Sequence, residues 1–143
     1  MWYLTGVRVV LDTNVLYSAL RSNRGASYAV LIGLRQGQFQ MALSVALCLE
    51  YEDVLLREPT ALPAQAIHDI LDQLAAVSSH PRMSFLWRPQ LRDPKDDHVL
   101  ELAINGRCSH IVTFNVRDFG GSERFNIQAV TPAQFLILLG GPP

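Results

Sequence analysis

Short apolar runs alternate with helical patterns along this chain, and that alternation constrains the fold more than any other feature. Val7 to Leu11 is a β-branched run cut off by Asp12-Thr13-Asn14. This pattern predicts a buried strand that passes directly into a helix. Phe39 to Leu43, His110 to Thr113 and Ile127 to Val130 are further short strand-like runs. Between them lie segments with helical spacing and recognisable ends. Val15 to Leu20 is broken by Ser22-Asn23-Arg24-Gly25, and Ala26 to Arg35 is followed by Gly37. Ser44 is placed to cap a helix reaching about Leu56, ahead of Pro59. Pro63 opens a helix whose Ile67, Ile70, Leu71, Leu74 and Val77 share one face. Asp96 to Asn105 reads as a helix stopped by Gly106, and Thr131-Pro132-Ala133-Gln134 carries a capping box with proline in the first turn. Ser78 to Arg82 reads as loop and Phe85 to Trp87 as a short extended segment. Strands alternating with helices predict an α/β fold with a central, mostly parallel sheet covered on both faces. In such sheets ligands bind beyond the carboxyl ends of the strands.

With 143 residues, 49% of them hydrophobic and 17% charged, the chain fits a single globular domain over residues 1–143. No apolar run approaches the roughly 20 residues needed to cross a bilayer, and no signal-peptide pattern opens the sequence. Cys48 and Cys108 both sit in apolar patterns and read as buried thiols rather than a disulfide framework, which points to a cytoplasmic protein. The net charge of −1 argues against a binder of long duplex nucleic acid, which needs a strongly basic surface. All 12 cations except Lys95 are arginine. Any contact with nucleic acid is therefore expected to be local, arginine-mediated and helped by metal, or else a partner supplies or covers charge.

The acidic residues fall where a site is expected. Asp12 and Asn14 follow the first strand; Asp93, Asp96 and Asp97 crowd the start of one helix; Asn115 and Asp118 lie just past the strand His110 to Thr113. Of Glu50, Glu52 and Asp53 on the third helix, periodicity alone does not choose which faces inward. Carboxylates gathered in one cleft repel one another unless a cation neutralises them. Oxygen ligands without a histidine or cysteine cluster suit magnesium or manganese, and such ions support hydrolysis of phosphodiesters. Asp96 and Asp97 also have an ordinary role available at a helix N-terminus. Asp12 is harder to assign that way, because a carboxylate straight after a buried strand is costly without a partner. His98, beside Asp97, reads as helix surface or as a neighbour of the site, with the surface role favoured. Arg21, Arg24 and Arg117 lie near strand exits, where they read as solvated arginines or as grips for phosphate. The aromatic residues Trp2, Tyr17, Tyr28, Phe39, Phe85, Trp87 and Phe135 read as core or interface.

Four stretches together resemble the motifs of PIN domains: Val9 to Leu16 around Asp12-Thr13-Asn14, Leu43 to Leu55 around Glu50, Arg92 to Ala103 around Asp96-Asp97, and Ile111 to Phe119. The resemblance runs from about Val7 to Phe135, and its order and spacing are more specific than any one motif. It is similar to the VapC toxins of type II toxin–antitoxin pairs. The resemblance implies a three-layer α/β/α fold with a sheet of four to five strands, and cleavage of single-stranded RNA with one or two Mg2+ or Mn2+ ions. It implies that Asp12, Glu50, Asp97 and Asp118 are catalytic and metal-binding, and that Asn14, Thr113, Asn115 and Asp93 orient substrate or support the ligands. It also implies an antitoxin partner and a homodimer, paired through the apolar helices between Val15 and Leu34. Asn115 departs from the aspartate many PIN domains carry there, which bears on a second metal. Two alternatives compete. One is a PIN domain that binds RNA or a protein partner without cutting. The other is a haloacid-dehalogenase-like phosphatase, which Asn14 and the single lysine disfavour.

Overall fold

A computed structural model describes residues 6–84 and 90–140. Four strands, β1 (Arg8–Leu11), β2 (Gln40–Met41), β3 (His110–Val112) and β4 (Gln128–Val130), form one sheet in the order β2-β1-β3-β4. All three pairings are parallel, with Val9 opposite both Met41 and His110, and Val112 opposite Val130. The central strands are buried almost throughout: Val9, Val10, Leu11, Ile111 and Val112 are at most 1% exposed. Continuous apolar strands of this kind need cover on both faces. The edge strand β2 is only 2 residues long, extended by a bridge between Ala42 and Ser79.

Six α-helices supply the cover among the described residues: α1 (Thr13–Arg21), α2 (Ala26–Arg35), α3 (Val45–Arg57), α4 (Ala64–Val77), α5 (Asp97–Asn105) and α6 (Pro132–Leu138). Parallel crossovers are right-handed. The step from β1 to β2 runs one way across the sheet and the step from β2 to β3 the other, so their helices fall on opposite faces. In the packing α1 and α6 lie against α2, α3 meets α4 and α5, and α5 rests on β1 and β3, while α1 and α3 also touch and join the two sets. Phe39 and Phe135 lock one side with an edge-to-face contact at 5.0 Å.

Most helix boundaries follow the punctuation in the sequence. Ser44 accepts from the Leu47 N–H, and Thr131 and Gln134 form the full capping box. Gly37 and Gly140 take positive φ beyond α2 and α6. The helix expected from Asp96 instead begins one residue later, behind a 3-10 turn over Pro94–Asp96. Two more 3-10 turns, Val116–Phe119 and Ser122–Phe125, fill the β3–β4 connection, where no periodicity announced them. Of the thiols, Cys108 is buried and Cys48 only partly so, and both are free. The extended segment expected over Phe85 to Trp87, and with it Trp2, lies outside the described residues. No described helix is long and apolar enough to cross a membrane.

Candidate functional site

The strand order reverses direction at β1 and β3, and the crevice at their carboxyl ends is where an open α/β sheet binds its ligand. Asp12 stands at that point. Its N–H donates to the Val112 carbonyl at 2.9 Å, so the residue is tied to the neighbouring strand. Its carboxylate accepts from the Thr13 N–H at 2.9 Å and from the Thr113 hydroxyl at 2.7 Å. Burial pushes the Asp12 pKa up, the two hydrogen bonds pull it down, and Glu50 adds to the upward pressure. A capping contact and a site position thus coexist in one side chain. Thr113 in turn accepts from the Asn115 N–H at 3.0 Å, and Asn14 accepts from the Phe114 N–H at 3.3 Å.

On α3 it is Glu50 that turns inward. Asp53 is exposed and paired with Arg57 at 3.3 Å, and Glu52 lies 3.5 Å from His68. Glu50 is held by the Thr13 hydroxyl and, at 3.1 Å, by His98 Nε2. The bond to His98 keeps the Glu50 carboxyl below its ordinary pKa against the effect of burial. Of the two readings open to His98 the structure shows contact with the site, and its buried Nδ1 has no hydrogen-bond partner among the described residues. Neither Thr13 nor His98 stood out as a Glu50 partner in the sequence. The Thr13 contact was readable only as part of the Asp-Thr-Asn tripeptide.

The two aspartates at the start of α5 divide sharply. Asp97 is 1% exposed, and its carboxylate accepts from the backbone N–H of Leu91 at 2.9 Å and of Gln90 at 3.1 Å. It anchors the segment leading into the helix. Asp96 is half-buried and senses the other acids: burial first, then Asp12, Asp93, Asp118 and Glu50 raise its pKa from 3.8 to about 6. Asp93 caps its own turn, accepting from the Lys95 N–H at 3.0 Å. Asp118 lies in the 3-10 turn after β3, whose first bond runs from its N–H to the Asn115 carbonyl at 2.9 Å. Asn115 is exposed.

The chain thus brings Asp12, Glu50, Asp93, Asp96 and Asp118 into one electrostatic neighbourhood, with Asn14 and Thr113 beside it. Asp97 is turned to the backbone instead. Among the described residues no three Asp, Glu, His or Cys side chains form a ready-made ligand cluster. The donor chemistry nevertheless fits a hard divalent cation. The groups are carboxylate oxygens, and at Asp96 burial first and the neighbouring acids second disfavour the charged form, which a bound cation would favour.

Comparison with known proteins agrees with this architecture. A PIN domain family model matches residues 8–117. Two similar solved structures are FitAB bound to an IR36 DNA fragment (15% identity, TM-score 0.57, covering 87% of this chain and 94% of that one) and FitAcB from Neisseria gonorrhoeae (16%, 0.56, 87% and 98%). None of the curated proteins compared with this chain matches it. The matched span starts at β1, ahead of Asp12, and runs past β3 and Asn115. An all-parallel four-stranded sheet with acids at its central strand ends, matched over that span, places this chain in the PIN domain family.

Proposed function

We propose that this chain is a metal-dependent endoribonuclease acting on single-stranded RNA, and the toxin of a type II toxin–antitoxin pair. The observation that carries the nuclease reading is the convergence of acids. Asp12, Glu50, Asp96 and Asp118 come from four separated segments, yet the other three all bear on Asp96 beside the carboxyl ends of the two central strands. The toxin assignment rests on the resemblance of the motifs to VapC toxins.

Asp12, Glu50, Asp96 and Asp118 would hold a Mg2+ or Mn2+ ion. Such an ion neutralises charge on the phosphoryl group and makes a water acidic enough to attack at neutral pH. The protein's own part is positioning. Thr113 and Thr13 fix both oxygens of Asp12, so its carboxylate enters the reaction already oriented. His98 and Thr13 do the same for Glu50. Asp97 serves indirectly, by holding the backbone that leads into α5 and thereby placing Asp96. Water adding to phosphorus in line with the 3′ oxygen would break the P–O3′ bond, the departing oxygen taking a proton to become a 3′ hydroxyl and the other product carrying a 5′ phosphate.

The test is incubation of the purified chain with single-stranded RNA and Mn2+ or Mg2+. Cleavage to 5′-phosphorylated products is expected, abolished by chelation and by Asp12→Asn. Turnover of a small phosphomonoester with no RNA cleavage would overturn the reading. The phosphatase alternative is disfavoured by Asn14, whose amide oxygen holds the Phe114 backbone. The non-cutting alternative finds its support in Asn115, an amide where related domains place a carboxylate. An apolar cleft of about 380 Å3 between α1, α2 and α4, lined by Leu20, Tyr28, Leu31, Ile70 and Leu74, supports pairing with a second subunit or an antitoxin.

A further inference from the structure

Beside the acids lies a second feature with different chemistry. Phe114 follows β3 directly and is 49% exposed, the one aromatic among the exposed large hydrophobic side chains of the described residues. About half of this side chain faces solvent, which leaves apolar surface that a stacking partner would cover. The backbone beneath it is held firmly. Its N–H is bound by Asn14, and the residues on either side are joined by the bond from the Asn115 N–H to the Thr113 hydroxyl. Phe114 therefore presents its ring on a rigid support, one residue from the threonine that orients Asp12.

The ring forms one wall of a cleft of about 340 Å3, lined also by Asn14, Tyr17, Ser18, Arg21 and Ser22. Arg21 is exposed at the end of α1, with its guanidinium 5.3 Å from the centre of the Tyr17 ring. Tyr17 is itself fixed by donating its hydroxyl to the Pro59 carbonyl at 2.9 Å. Arg21 makes no ion pair or hydrogen bond among the described residues, so its charge is available to an anion. An aromatic face, an unpaired guanidinium and small polar side chains in one cleft match the two halves of a nucleotide.

We propose that this cleft is a nucleotide subsite. Phe114 stacks one unpaired base of a single-stranded RNA, and Arg21 takes an adjoining phosphate while the acids face the neighbouring linkage. The proposal rests on the RNA reading above and names the residues that hold the strand. A chain of net charge −1 needs such a local grip, because no general basic surface supplies one.

The test separates binding from cutting. Binding of a fluorescein-labelled hexauridylate to the full chain is measured by anisotropy with Mg2+ present, in an Asp12→Asn background so that the probe stays intact. Phe114→Ala is expected to weaken binding about 5- to 150-fold, and Phe114→Trp to restore it. With one abasic residue walked along the probe, a single position should weaken binding for Phe114 and cost nothing further for Phe114→Ala. Arg21→Ala should reduce the slope of log affinity against log salt by about 0.7, and Arg21→Lys should keep it. Unchanged affinity in Phe114→Ala, or no binding of the probe at all, overturns the subsite. Phe114-dependent binding by a chain that never cleaves RNA would leave the subsite standing and remove the nuclease reading. Cleavage that is indifferent to Phe114 would do the reverse.

Discussion

Asp96 and Asp97 are adjacent, chemically identical and oppositely employed. Asp97 satisfies two backbone N–H groups in a buried setting, so Asp97→Ala should cost about 1–3 kcal/mol in urea unfolding by leaving those donors unpaired. Asp96→Asn removes a charge from a crowded acidic site, so it should abolish RNA cleavage while the fold survives. If Asp96→Asn cleaves normally and a stably folded Asp97→Asn does not, the site is built around the wrong aspartate. The sequence could not separate the two, because helical periodicity counts from a start that it does not mark to within one residue. The discriminating signal was Asp93-Pro94. An aspartate capping a proline-led turn delays the helix to Asp97, leaving that side chain free to reach back to Leu91. Glu50 was ambiguous in the same way, and packing decided it: Asp53 and Glu52 found exposed basic partners on α3 and α4.

At the scale of elements, the sequence was most readable where backbone chemistry forces a residue choice. The break at Ser22 to Gly25, the cap at Ser44 and the box at Thr131 all hold in the fold. The 3-10 turns between β3 and β4 were not readable, since three- and four-residue turns carry no repeat and take their shape from the strands they join. Gly106, expected only as a helix stop, does more. A Cβ there would sit 2.9 Å from the Ala42 Cβ and 3.0 Å from the Leu102 carbonyl, because α5 returns to β3 in close contact with the end of β2. Gly106→Ala should therefore destabilise by about 1–3 kcal/mol, read as a lower urea midpoint with an unchanged slope. A neutral result would mean that the α5–β3 turn shifts freely, and with it the placement of Asp96.

Taken whole, the molecule carries an electrostatic tension at one edge of an otherwise apolar sheet. Asp96 titrates near 6 when folded and near 3.8 when not, so the folded chain holds a proton that the unfolded chain releases between those values. This residue's penalty is absent below about pH 4, grows as the pH rises, and is complete above its folded value. Asp96→Asn should raise stability at pH 8 by about 1 kcal/mol after screening of a half-exposed group, read as a higher melting temperature, and change little near pH 4. Mg2+ should relieve the same tension. At a hundredfold excess over its dissociation constant it should stabilise the wild type by about 2.7 kcal/mol, and Asp12→Asn much less. Equal melting shifts in both would place the ion elsewhere.

The bond from Thr113 to Asp12 joins residues 101 positions apart. During synthesis the first carboxylate leaves the ribosome long before the threonine that aims it, and closure across so long a loop is among the slower steps of folding. A growing chain consequently has no assembled acidic cleft until Thr113 has emerged and β3 has docked beside β1. On the nuclease reading proposed above, competence would arrive only with the completed sheet.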